Sequence, residues 1–179
     1  MVTLMEWYQV LLLIVVLLAF FYVATFVYVF GQIHEFRLRL RRRTNGLNLL
    51  LSQRRDVIMT IVALLEKDKV SINEEDEACF AKISALGFVK PNEDTIRADV
   101  ALIKEATSRL RAIYQSNEGT LNQDSYRHHF ELLDDLEKNY RSLIGLYNAD
   151  AVAYNYWIHI PLFTFIAKAF QNRPRAMLN

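Results

Sequence analysis

The chain has 179 residues, 21 Lys and Arg against 20 Asp and Glu, and a net charge of +1, so no global field recruits nucleic acid or an acidic substrate. Its one cysteine, Cys79, excludes an intramolecular disulfide framework and fits a reducing compartment. Five glycines, three prolines and no hairpin dipeptide between alternating apolar runs predict an all-α fold.

Residues 7–33 carry no charged side chain, and Arg37, Arg39, Arg41, Arg42 and Arg43 follow at once. A helix of that length measures roughly 40 Å against a hydrocarbon core of about 30 Å, so it can span with tilt. Trp7, Tyr8 and Tyr28 would then mark the interfaces. A cleaved secretory signal fits less well, because a basic n-region and a small-x-small cleavage site are both missing. Positive flanks stay in the cytoplasm. The expected order is a short extracytoplasmic tail at 1–6, a single transmembrane helix at 7–33, a polybasic juxtamembrane linker at 34–44 and a cytoplasmic helical bundle at 45–179. That is a single-pass protein of the inner or plasma membrane, with its N-terminus out. The arginines should attract anionic lipid headgroups at about 1 kcal/mol each near the surface, which accounts for them without nucleic acid.

Three heptad-like stretches follow the anchor in roughly 140 residues, the size of one domain. Leu47, Leu51, Ile58, Ile61 and Leu65 line the first, widened by Leu50, Val57 and Leu64 and interrupted by Arg54. Ile96, Val100, Ile103, Thr107, Leu110 and Tyr114 form the second. Leu133, Tyr140, Tyr147 and Tyr154 fall every seventh residue in the third, with Leu136, Leu143, Ile144 and Ile158 beside them. Such repeats keep one stripe toward a partner helix and predict an antiparallel, coiled-coil-like bundle. A short amphipathic helix is expected within 73–86, presenting Phe80, Ile83 and Leu86. Gly87 and Pro91 break the chain before a helix start at Asn92, and Asn117, Gly119 and Asn122 form the next turn, with Asp124 or Ser125 as caps. Asp134 with Lys138 and Glu137 with Arg141 read as exposed i,i+4 pairs. The uncharged run 151–167 is short for a second crossing and is expected to pack or return to the membrane surface, with Pro161 ending the helix.

No catalytic or metal signature stands out: HExxH, a phosphate loop, a nucleophile elbow and CxxC are all missing. His128 and His129 are adjacent, so on a helix they diverge by about 100° and cannot share a metal. His34 and His159 read as interfacial or packed. Cys79 follows four acids, which raise rather than lower a thiol pKa. The chain is read as a non-enzyme with no cofactor and no small-molecule substrate. The tyrosine stripe reads as core rather than as a ligand pocket. Asn148 and Asn155, one position on from Tyr147 and Tyr154, are expected to bond across helices and fix register.

The stretch from Tyr147-Asn148-Ala149-Asp150-Ala151-Val152 to Tyr154-Asn155, then Pro161 and Ala167, resembles the C-terminal signature of the LemA family. Leu132-Leu133 with Leu136-Glu137 upstream resembles it too, and Arg54-Arg55-Asp56-Val57-Ile58 is similar to the family's double-arginine segment. Gln53, Met59-Thr60, Asn117-Glu118 and Lys138 depart from the pattern, as in a divergent member. The resemblance covers the chain from about residue 45 except for 66–95, and implies a membrane-tethered helical bundle with no established activity.

Two functions are expected to compete. One is a membrane-anchored scaffold or adaptor, with an unidentified protein, or the protein itself, as partner; Glu74, Glu75, Asp76, Glu77 and Phe80 are its candidate partner-binding patch, against the plainer reading of a solvated connector helix. The other is an accessory subunit of a membrane enzyme or transport system, such as an envelope protease, acting through its span or aromatic C-terminus.

Overall fold

The computed structural model describes residues 2–87, 93–117, 119, 121, 123–160 and 172–178, with backbone only at 2–6, 93 and 123. These residues form four helices and no strand: α1 Val2–Lys67, α2 Glu74–Ser84, α3 Glu93–Ser116 and α4 Gln123–Ile158. The all-helical expectation holds. The helix start expected at Asn92, the turn residue Asn122 and the stop at Pro161 lie outside the described residues. α4 already includes Asp124 and Ser125, so neither caps it; Asp124 instead supplies a negative charge in the first turn.

The chain folds as two compact units. The first takes Met1–Arg39 and Asp150–Arg175, the second Leu40–Ala149 and Ala176–Asn179. The stretch 34–44, expected as a linker, is helical throughout. It contains no proline, and Thr44 returns its hydroxyl to the Leu40 carbonyl at 2.9 Å, so nothing in it breaks the hydrogen-bond ladder.

In the first unit, α1 is long and apolar enough to cross a membrane. Its large side chains from Trp7 to Val23 stand exposed, while Val29 and Ile33 are buried. Tyr28 meets Trp157 edge to face, with ring centroids 5.9 Å apart.

In the second unit the three heptad stripes form the core. Leu47, Leu51, Ile58, Ile61 and Leu65 are buried, as are Ile96, Ile103 and Leu110, and Leu133, Tyr140 and Tyr147. Gly46 permits a close approach, since a Cβ there would lie 3.0 Å from Leu143 Cδ2. α1 ends without glycine. Lys69 takes a left-handed φ of 56°, its N–H reaches the Glu66 carbonyl at 3.1 Å, and the Val70 N–H reaches Leu65 at 3.0 Å. Those two bonds close a Schellman cap around a residue that costs about 1 kcal/mol in this conformation.

The acidic run starts α2. The Asn73 side chain accepts from the Asp76 N–H at 2.7 Å, and four acids fill the first turn, where the helix dipole favours negative charge. α2 buries Asp76, Cys79, Phe80 and Ile83, lying against α3. Leu86 falls beyond the helix end, and its carbonyl accepts from Arg55 Nη1 at 2.8 Å.

Candidate functional site

Of the arginines expected at a membrane surface, Arg37, Arg39, Arg41 and Arg42 are exposed and Arg43 is half-buried. Arg39 pairs with Glu35 one turn back and lies 5.2 Å over the Phe36 ring. The others extend from a helix without a proline, as a cationic flank requires.

The acidic patch is only partly a surface. Glu74, Glu75 and Glu77 are exposed, but Phe80 is 4% exposed and belongs to the core. Asp76 is also buried, its Oδ1 2.7 Å from Arg109 Nη1. Arg109 further holds Glu105 at 2.9 Å, and these two bonds keep its guanidinium well above its ordinary pKa. The expected partner patch is therefore corrected. Phe80 sits on the same helical stripe as Ile83, so it packs inward, and Asp76 follows it because Arg109 offers a charge-assisted bond. Cys79, beside them, is 5% exposed, and burial first, with Glu105 next, pushes its thiol pKa up. A thiol so placed does not report topology to a maleimide.

The asparagines of the two Tyr-Asn pairs do not bridge helices. In the second unit Asn148 Nδ2 donates to the Leu178 carbonyl at 2.7 Å, and its Oδ1 accepts from the Leu178 N–H at 2.8 Å. Leu178 is 2% exposed, and Arg97 on α3 donates to the neighbouring Met177 carbonyl at 2.5 Å. In the first unit Asn155 makes the same two bonds to Arg175, both at 2.9 Å, and the Tyr154 hydroxyl reaches Asn172 Oδ1 at 3.3 Å. An extended residue presents its N–H and C=O on one side, so a side-chain amide can stand in for a neighbouring strand. The Tyr enters the helical seam, and the next residue, about 100° round the helix, grips the C-terminal backbone.

The double arginine divides its work. Arg55 bonds Asp56 Oδ1 through Nε at 2.9 Å and Nη2 at 2.7 Å, besides its reach to Leu86. Arg54 fills a core position at 3% exposure, with Nη1 2.6 Å from Glu137 Oε2 in an ion pair that makes no hydrogen bond. Its Nε has no acceptor among the described residues, and its guanidinium lies 5.9 Å over the Tyr140 ring. Burial pushes the Arg54 pKa down, and Glu137 opposes that shift. Glu137 also holds Arg141 at 2.8 Å, while Asp134 pairs with Arg111 rather than with Lys138. The expected i,i+4 pair of Glu137 with Arg141 is present, with Arg141 exposed, and Glu137 also reaches inward to the buried Arg54. A cavity of about 230 Å³ opens here, lined by Arg54, Lys104, Ser108, Arg111, Glu137 and Arg141 among others.

Sequence reasoning missed Tyr126, which is 1% exposed and donates to Asp68 Oδ2 at 2.8 Å. It lies seven residues before Leu133, so the heptad stripe extended one step upstream would have found it. Nothing local points Asp76 at Arg109, or Asn148 at Leu178. Among the described residues no group of three or more His, Cys, Asp or Glu is arranged to hold a metal ion. His129 turns Nδ1 to the Ser125 carbonyl at 2.7 Å, a local helix contact. No protein-family model, curated protein or solved structure matches the chain.

Proposed function

We propose that the protein is a membrane-anchored, LemA-like helical bundle serving as a non-catalytic scaffold or adaptor on the cytoplasmic face of a bacterial inner membrane. The apolar α1 and the arginines on its C-terminal flank support a single pass with the N-terminus out. The pairings of α1 with α4 in the second unit support an antiparallel bundle: Gly46 approaches Leu143, Arg54 meets Glu137, and Asp68 meets Tyr126. Anionic headgroups are the lipid partner that the arginines select.

The observation that carries the adaptor reading is the grip on Leu178. Asn148 and Arg97 bind main-chain atoms, which every extended peptide offers, while the buried leucine supplies side-chain selection. That division of labour is how strand-addition modules hold their ligands. A partner peptide that displaces the chain's own residues 177 and 178 would be held the same way, and tethering would raise its local concentration without catalysis.

The test is crosslinking in cells, gentle detergent extraction and mass spectrometry, on the natural chain and on one whose residues 7–33 are replaced by an unrelated span. A protein partner retained after the swap, and lost in Asn148→Ala, supports the adaptor. A membrane partner lost with the span transfers the role to an accessory subunit, a reading favoured by the exposed apolar side chains from Trp7 to Val23. Orientation is read separately, by impermeant maleimide on cysteines introduced before residue 7 and after residue 41 in a Cys79→Ser chain.

A further inference from the structure

The polar cavity of the second unit has features that an adaptor does not need. It is walled by Arg54 of α1, by Lys104, Thr107, Ser108 and Arg111 of α3, and by Asp134, Glu137 and Arg141 of α4. Four cations face two carboxylates, so the cavity carries a formal charge of +2. Both carboxylates are already engaged, Asp134 with Arg111 and Glu137 with Arg54 and Arg141. Lys104 is exposed at the mouth and has no carboxylate partner among the described residues. Deepest lies Arg54, with its side chain 4% exposed and its Nε without an acceptor. Arg54 Nε and Nη1 are sealed from the cavity, so an entering anion is drawn by the buried charge of Arg54 rather than bonded by those two atoms.

We propose that this cavity binds a phosphomonoester group. A phosphomonoester carries about −1.5 to −2 charges at pH 7 and three acceptor oxygens, enough to neutralise the excess and to meet donors from three helices at once. Guanidinium forks match phosphate bidentately, and Lys104 adds a point charge at the entrance. The Thr107 hydroxyl is committed to the Ile103 carbonyl at 2.7 Å, which leaves Ser108, exposed at the rim, as the neutral donor. The cavity, about 230 Å³ and open to solvent, leaves room for a small organic group beside the phosphate. A carboxylate would bring one charge and two oxygens, and leave the cavity positive. The phosphoryl group can belong to a soluble metabolite or to a lipid headgroup, which present the same chemistry to these side chains.

The full-length protein, in a phosphate-free maltoside detergent, is titrated with inorganic phosphate, glycerol 3-phosphate, short-chain phosphatidic acid and sulfate at constant ionic strength. Binding is read by ³¹P line broadening and calorimetry. Saturable binding of at least one phosphate species is expected at or below about 1 mM, weakened about tenfold by Lys104→Gln and again by Arg141→Gln, and unchanged by Lys138→Gln outside the cavity. Glycerol 3-phosphate binding best identifies a soluble ligand, and phosphatidic acid binding best identifies a headgroup; either outcome upholds the site. No saturation by any phosphate up to about 10 mM overturns the proposal. So does sulfate binding as tightly as phosphate, or binding that Lys104→Gln and Arg141→Gln leave intact. Arg54→Met, whose fold is checked by circular dichroism, must also abolish binding.

Discussion

Replacing Arg54 by methionine should leave the second unit as stable as before, or stabilise it by about 1–2 kcal/mol, whereas Glu137→Gln should cost about 2–3 kcal/mol. The asymmetry follows from burial. At 2.6 Å and an effective dielectric of about 20, the Arg54–Glu137 attraction is worth about 6 kcal/mol, and desolvation costs several kcal/mol for each ion, so the pair nearly cancels. The Arg54 side chain is 4% exposed, carries most of the desolvation and leaves Nε unsatisfied. Glu137 is 29% exposed and keeps Arg141 when Arg54 is gone, so methionine strands no charge. Methionine also restores an apolar side chain to the stripe between Leu51 and Ile58, at the loss of about 0.5–1 kcal/mol of cation–π contact with Tyr140. Glu137→Gln does the reverse and strands the buried guanidinium. The assay is urea denaturation of the full-length protein in phosphate-free detergent, followed by far-ultraviolet circular dichroism, on both single variants and the double. In the double variant most of the glutamine penalty should vanish, a coupling of about 2 kcal/mol. A methionine variant weaker by more than about 2 kcal/mol, beside a harmless glutamine, would refute the reasoning.

Three further outcomes follow from the same structure. Lys69→Gly should stabilise by about 0.5–1 kcal/mol, because glycine takes the left-handed cap without steric cost and repays part of that gain in unfolded-chain entropy; an unchanged urea midpoint would argue against the cap. Asn148→Ala removes both partners of Leu178, so amide exchange at residue 178 should quicken about tenfold or more while the α1 core amides stay protected. Alkaline pH should loosen the second unit through Tyr140, whose phenol burial pushes up to about 12, with Arg54 pulling the other way. Since the folded pKa lies above the unfolded value of about 10, that stability is complete below about pH 10 and is lost as pH rises toward 12. Tyrosinate absorbance at 295 nm that titrates fully near pH 10, with the fold intact, would contradict it.

Periodicity made the seams legible. Leu47, Ile103 and Tyr147 are buried where the heptads put them, because helix geometry alone sets which residues share a face. The end of α1 was not legible, since Lys69 occupies a position where glycine is the usual signal. The acidic run misled for a related reason: four adjacent acids look like one surface, but successive residues turn by about 100°, so Asp76 is buried against Arg109 of α3 while Glu74 and Glu75 are exposed. Arg54 was recognised as an interruption of its stripe. Its lack of an acceptor at Nε depends on α4 and could be seen only with the helices assembled.

The chain by itself determined that it is helical, where its apolar stripes lie, and that one segment is long and apolar enough for a membrane. These are local properties, fixed by backbone geometry and by the transfer energies of residues close in sequence. Tertiary structure decided which charges meet, Arg109 with Asp76 and Arg54 with Glu137, and that Asn148 grips Leu178 rather than a neighbouring helix. Polar pairing needs atoms within about 3 Å in the right direction, and across 30 or 80 residues of chain only the assembled packing sets that distance.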